Sequence, residues 1–329
     1  MDHPQNEPAS RDIPADDRGI AAPVWHLVTG DGWEWCHLDR SHEGAGAWLA
    51  ARGVPEQAIE ALLDTAVRPR LTRASGGLVL ILRAEPSPVS EKIARRLVSL
   101  RCWVDARGLV SLSRETLPAI EALAAAPPPA FGTLLADLVE RVVDGVTPRV
   151  EALSVDVEAL EDRILLASSA APPDQGAADR LAALRRRLVK LERKLGAQRD
   201  ALAALSRLSE RDAGLPGRFV LDAAARLDLD ESVEQCRHDA EEAEQARERA
   251  LILRDELERR ADERTARHGF ALSVAAAVFL PATFITGLLG INVGGIPGAE
   301  DPRAFWVVVG LCAGVAGASV GFVLWRRWL

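Results

Sequence analysis

The stretch from Phe270 to Ile291 reads FALSVAAAVFLPATFITGLLGI. It carries no charge, and about 20 predominantly apolar residues suffice for a helix to cross a hydrocarbon core of about 30 Å. A second stretch, Ala304 to Trp325, reads AFWVVVGLCAGVAGASVGFVLW and passes the same test. The two runs divide the chain into a large water-facing region and a C-terminal two-helix transmembrane hairpin. Arg264 and Arg267 precede the first span, and Arg326 and Arg327 follow the second. The loop between them holds Glu300, Asp301 and a single basic residue, Arg303. This bias predicts both termini in the cytoplasm and the loop outside. Trp306, Trp325 and Trp328 stand where interfacial aromatics belong.

Composition narrows the class. The chain has 329 residues and a net charge of -8, which argues against a nucleic-acid partner. Residues 1–22, with Asp2, Glu7, Asp12, Asp16 and Asp17, read as a disordered tail. They show no basic segment followed by an apolar one, so no signal peptide is expected. The four cysteines, Cys36, Cys102, Cys236 and Cys312, are scattered without a C-x-x-C pair, as free thiols in a reducing compartment would be. No phosphate-binding loop, nucleophile elbow or H-E-x-x-H pair is present, so neither an enzyme nor a resident cofactor is expected.

The water-facing region reads as an α+β domain over 23–129, with long coiled-coil-like helices after it. VWHLV and GWEWCHL read as hairpin strands, and GGLVLILRAE, LRCWV and GLVSLS as apolar strands. GAWLAAR and PEQAIEALLD read as helices, and the prolines at 127–129 close the domain. A helical hairpin is expected over 130–229. Its first helix, Leu134 to Leu166, carries a seam of Val150, Leu153, Val157, Leu160 and Ile164. Its second carries Leu181, Leu184, Leu188, Leu191, Leu195, Leu202 and Leu205. The short connection between them favours antiparallel packing over a dimerising zipper.

A stalk helix is expected over 230–269, running straight into the first span at 270–292 and coupling the cytoplasmic domain rigidly to the membrane. An external loop (293–303), a second span (304–325) and a basic cytoplasmic end (326–329) complete the layout. The stalk is acidic, with Asp230, Glu231, Glu234, Asp239, Glu241, Glu242, Glu244 and Glu248. That reads as a solvated surface, and it also suits a field that concentrates cations.

Two helices cannot enclose an aqueous path, so conduction requires several copies in a ring. Helical steps along the first span connect Gly269, Leu272, Ala276, Leu280, Thr283, Gly287 and Gly290. This face is small or apolar with one hydroxyl. It suits an ion that keeps its water shell, with apolar rings gating by dewetting. The same small residues also permit close helix packing. After the span comes GLLGINVGGIPG, Gly287 to Gly298. Its glycines let carbonyls turn toward a common axis. A ring of Asn292 amides can hydrogen-bond the hydration shell of a hard divalent ion, which a carboxylate would hold too long.

Gly290-Ile291-Asn292 at the end of the first of two C-terminal spans resembles the Gly-x-Asn signature of the CorA-like metal-ion transporter superfamily. The lead-in FLPATFITGLLG, the second span, the terminal RRWL and the overall layout resemble it too. Ile291 replaces the Met common in the magnesium and cobalt branch, and Ile296-Pro297-Gly298 replaces Met-Pro-Glu. GINVGGIPG is therefore most similar to the zinc-transporter branch, the ZntB type. The resemblance implies a homopentamer in the inner membrane with cytoplasmic funnels and an axial pore. It implies Zn²⁺ as the transported ion, with proton coupling left open. Gly290, Ile291 and Asn292 match the filter, and Thr283 falls where the family commonly has a polar pore residue. Leu272, Ala276, Leu280 and Gly287 share its face. Gly294, Gly295 and Pro297 shape the loop. No acid follows Pro297, which leaves Glu300 and Asp301 as candidates for an external ring.

One tension remains in the residues. Zinc prefers nitrogen and sulfur ligands, and no His or Cys lines the predicted pore face. Cys36, His37 and His42 make a poor chelate, because neighbours on a strand point to opposite faces. Glu234, His238 and Glu242 follow i, i+4, i+8 spacing, so His238 with either Glu is a candidate weak metal site. His268 is a candidate relay beside the span. Two alternatives stay open: a Mg²⁺ or Co²⁺ channel of the same superfamily, and a non-conducting, membrane-anchored coiled-coil scaffold.

Overall fold

The computed structural model describes residues 25–28, 33–65, 68–87, 96–126, 131–166, 175–209, 221–291, 301 and 303–327. The chain divides into two units, one of 1–167 with 174–253 and one of 168–173 with 254–329.

The first unit is built on a six-stranded sheet. Its strands are β1 (Trp25–Val28), β2 (Glu34–Asp39), β3 (Arg70–Ala74), β4 (Gly77–Ala84), β5 (Val98–Asp105) and β6 (Gly108–Ser113). The order is β1-β2-β6-β5-β4-β3, with only β2 and β6 parallel. Helices α1 (Ala45–Ala51) and α2 (Glu56–Leu63) lie between β2 and β3 in sequence. They join Val79, Ile81, Trp103, Val110 and Leu112 in one core. The opposite strand faces, including Leu78, Leu80, Leu82, Leu100 and Cys102, form a second core with the later helices. Burial on both faces is why β4 and β6 read as continuous apolar runs instead of alternating ones.

The later helices are α3 (Pro118–Ala125), α4 (Phe131–Asp144), α5 (Thr147–Leu166), α6 (Gln175–Ser209) and α7 (Ala223–Leu289). The expected helix from Leu134 to Leu166 is thus two helices. They break at Gly145 and Val146, whose N–H groups turn back to Arg141 and Val143 carbonyls. The α5 and α6 seams are buried at every position named from the sequence. The two helices are antiparallel, with Asp156 beside Arg187 (3.7 Å) and Arg163 across a groove from Arg180. In the α6 seam the place between Leu195 and Leu202 belongs to Gln198. Its buried Oε1 accepts the Arg83 N–H at 2.6 Å and ties α6 to β4. All four cysteines are free thiols.

The long helix α7 begins at Ala223, not at Asp230, and contributes to both units. In the first unit it buries Ala225, Leu229, Cys236, Ala240, Ala243, Ala246, Ala250 and Leu253. Alanine at so many contact positions lets neighbouring helices approach closely. Asp239, expected on the acidic surface, is instead buried. Its carboxylate accepts from Thr147 Oγ1 (3.0 Å) and Gln235 Nε2 (2.9 Å), and burial raises its pKa. In the second unit α7 runs to Leu289, and α8 (Ala304–Arg327) follows. Residues 1–22 and most of the 293–303 loop lie outside the described residues.

Candidate functional site

The second unit contains the two apolar segments. The 18-residue windows with mean hydropathy 2.0 in α7 and 1.9 in α8 are not buried, although both are apolar enough to cross a membrane. Leu272, Phe279, Leu280 and Phe284 on α7, and Phe305, Trp306, Leu311, Phe322 and Trp325 on α8, are all exposed. So continuous an apolar surface is not stable in water, and it matches lipid or further helices. Trp306 and Trp325 sit at opposite ends of α8, about 28 Å apart along the axis at 1.5 Å per residue. That is the spacing of the two interfacial belts of a bilayer.

The predicted pore line can be tested against burial around α7. At about 100° per residue, Gly269, Leu272, Ala276, Leu280, Thr283, Gly287 and Gly290 fall within an arc of about 80°. All seven are exposed, Leu272 to 73% and Leu280 to 74%. The half-buried residues are Val274, Ala275, Ala277, Val278, Pro281, Ala282 and Ile285, and they occupy the opposite side. The chain therefore covers the back of this helix and leaves the predicted line open. Beyond the backbone of Gly269 and Gly287 the line is clear, since a Cβ added at either would meet nothing within 4 Å.

The hydroxyls on this span divide sharply. Ser273 returns its proton to the Gly269 carbonyl (2.9 Å), and Thr286 to the Ala282 carbonyl (3.0 Å). Thr283 supplies the hydroxyl on the open line. The helix ends as Gly290 donates its N–H to the carbonyls of Thr286 (2.9 Å) and Gly287 (3.2 Å). Ile291 is 48% exposed immediately beyond. Asn292, Gly294, Gly295, Pro297 and Glu300 lie outside the described residues.

Other predicted residues take other positions. Asp301 is exposed and accepts the Arg303 N–H at 2.9 Å, while its carbonyl accepts from Ala304 (3.0 Å). It caps α8, a role the loop reading did not anticipate and one that its place three residues before the helix start could have signalled. Glu234 is held by Arg237 (2.6 Å), His238 is exposed and Glu242 is half-buried. His268 is exposed on α7. Among the described residues no group of three His, Cys, Asp or Glu side chains is placed to hold a metal ion. Cys36 and His37 are buried on β2, whereas His42 is exposed. On α8, Ala304, Val308, Cys312, Val315, Ala316 and Ser319 form a half-buried stripe, which accounts for Cys312.

The family model described as CorA-like Mg²⁺ transporter protein matches residues 30–326. The chain belongs to this family. The divalent cation transporter CmaX of Pseudomonas aeruginosa is 35% identical over 303 residues, covering 90% of this chain and 87% of that protein. The solved full-length CmaX superimposes with a TM-score of 0.71 at 34% identity, over 90% of this chain and 88% of its own. The zinc transport protein ZntB of Klebsiella pneumoniae is 30% identical over 303 residues, covering 90% of this chain and 88% of its own. The complete CorA magnesium transporter of Methanocaldococcus jannaschii shares the fold at 19% identity. Its TM-score is 0.71, over 90% of this chain and 92% of its own.

Proposed function

We propose that this family member is a divalent metal-cation transporter of the inner membrane, with Zn²⁺ as its principal cargo. Five copies form a ring, the open line of α7 faces the axis, and both termini lie in the cytoplasm. The proposal includes coupling to an inward proton gradient, which the assay below reads separately from Zn²⁺ transport. The observation that carries the reading is the uncharged, uncovered line from Gly269 to Gly290, leading directly into Gly290-Ile291-Asn292.

The chemistry of that line specifies how an ion passes. It offers backbone, small side chains and the Thr283 hydroxyl, but no imidazole, thiolate or carboxylate. A divalent ion stripped of water would find no compensating ligands there, so it travels with its shell. Leu272 and Leu280 make apolar rings that exclude water when narrow and pass a hydrated ion when wide. Asn292 orients the shell by hydrogen bonding. Lipid covers the outer faces, where the α8 side chains Phe305, Trp306, Phe322 and Trp325 are exposed.

The hard-oxygen character of this set also favours a second reading, a Mg²⁺ or Co²⁺ channel. The test is ion flux into proteoliposomes with Zn²⁺, Mg²⁺ and Co²⁺, with and without an inward proton gradient, beside Asn292→Ala. The proposal expects Zn²⁺ flux that rises with the gradient and is altered in the variant. Flux of Mg²⁺ or Co²⁺ without Zn²⁺ selects the second reading. No flux from folded oligomers leaves a membrane-anchored scaffold.

A further inference from the structure

An acidic chain does not ordinarily gather its cations in a hollow, yet this one does. A cavity of about 700 Å³ opens in the first unit between α6, β4 and the residues just before β3. From α6 come Arg185, Arg186, Lys190, Arg193 and Lys194, and Arg68 and Arg83 line the same hollow. The spacing i, i+1, i+5, i+8, i+9 spreads the five over about half of the helix circumference across two to three turns. Among the described residues lining the hollow, none is acidic. Elsewhere on α6, Arg187 pairs with Asp156 and Arg199 with Asp200.

We infer that this cleft binds a compact polyphosphate anion, of the size and charge of a nucleoside triphosphate. The volume lies in the range of small-ligand sites, about 300–1,000 Å³. Guanidinium groups fit phosphate oxygens in a bidentate fork, and ammonium groups add point charge. Lys194 is positioned from below, its Nζ donating to the Leu97 carbonyl at 3.3 Å. Burial, and then Arg83, Arg149, Arg96 and Lys190, bring its pKa down to about 8. A bound polyanion removes that mutual repulsion. A single phosphate engages only part of seven cations, which is why the inference is a polyphosphate. The Asn292 line plays no part in it, so it stands or falls separately from the transport reading.

The test uses the purified full chain in detergent, with chelator present so that metal plays no part. Binding of ATP, inorganic tripolyphosphate and inorganic phosphate is measured by calorimetry, with thermal unfolding alongside. Lys190→Glu/Arg193→Glu reverses two exposed charges of the cleft, and Arg207→Glu reverses an exposed α6 charge outside it. The expected result is micromolar binding of ATP or tripolyphosphate, at least tenfold tighter than phosphate. It weakens tenfold or more in the double variant, is unchanged in Arg207→Glu, and declines with salt. Tighter ATP binding points to the nucleotide, and equal binding to the bare phosphate chain. Absence of binding at millimolar concentration, or equal affinity in the double variant, overturns the inference. So does a double variant that changes oligomer mass while neither anion binds, since the cleft then holds an acidic part of a second copy.

Discussion

His37 shows how much a single side chain can be told by its partners. Trp35 Nε1 donates to Ser111 Oγ at 2.9 Å, and Ser111 Oγ lies 2.9 Å from His37 Nδ1. On the other side Ser113 Oγ donates to the Glu115 carbonyl at 2.7 Å and lies 3.2 Å from His37 Nε2. Ser113 has spent its proton, so Nε2 must carry the ring proton. Ser111 then gives its own proton to Nδ1. The chain of donors closes only for the neutral ring, and burial brings the pKa down from 6.5 to about 4, with Asp39 opposing. A depressed histidine stabilises the fold above its unfolded value and loses that contribution as pH falls toward the folded one. Full-length protein should therefore lose stability between pH 6.5 and about 4, by roughly 3 kcal/mol at most from this residue. Thermal unfolding across that range checks it, and His37→Gln should flatten the slope. An equal slope in the variant would assign the acid sensitivity elsewhere.

Elements tell a second story, because the two faces of the membrane part of α7 differ in what covers them. A cysteine at Ala276 or Thr283, on the open line, should be modified by a water-soluble thiol reagent and confer block by Cd²⁺. A cysteine at Val278 or Ile285, on the half-buried side, should resist both by tenfold or more in rate. Cys312→Ser supplies the background, since Cys312 lies on the half-buried stripe of α8. Equal modification on both sides would remove the pore assignment of the line. That these residues share one exposed side was legible in the sequence, because helical steps need no tertiary information. The seams of α5 and α6 were legible for the same reason, and so were the apolar strands. What was not legible depended on partners distant in sequence. β3, RLTRA, is a mostly exposed edge strand with no alternation to read, and pairing with β4 makes it a strand. Gln198 and Asp239 look like surface residues until β4 and α5 supply their hydrogen-bond partners. The periodic run splits into two helices where the Val146 N–H closes on the Val143 carbonyl three residues back, a local tight turn that the apolar pattern passes over.

At the scale of the molecule, the decisive fact is incompleteness. One copy leaves the proposed pore line uncovered, so under that proposal a path through the axis belongs to the assembly and not to the chain. Two measurements follow from that. Light scattering in detergent should give a protein mass five times 35.4 kDa. Subunit mixing then asks whether the copies share one path. Leu280→Lys places a cation on the open line, and a single fixed positive charge in an apolar constriction repels a divalent ion strongly. Variant alone must assemble with the same mass, which separates block from misfolding. Wild type and variant are then co-expressed in equal amounts and reconstituted together. If one variant subunit closes a shared path, only rings made wholly of wild type conduct, and about 3% of the flux remains for a five-membered ring. If each chain conducts by itself, half remains. A residual near half would refute the axial path even where the mass is pentameric, because it would show five copies standing together without sharing the line that each leaves uncovered.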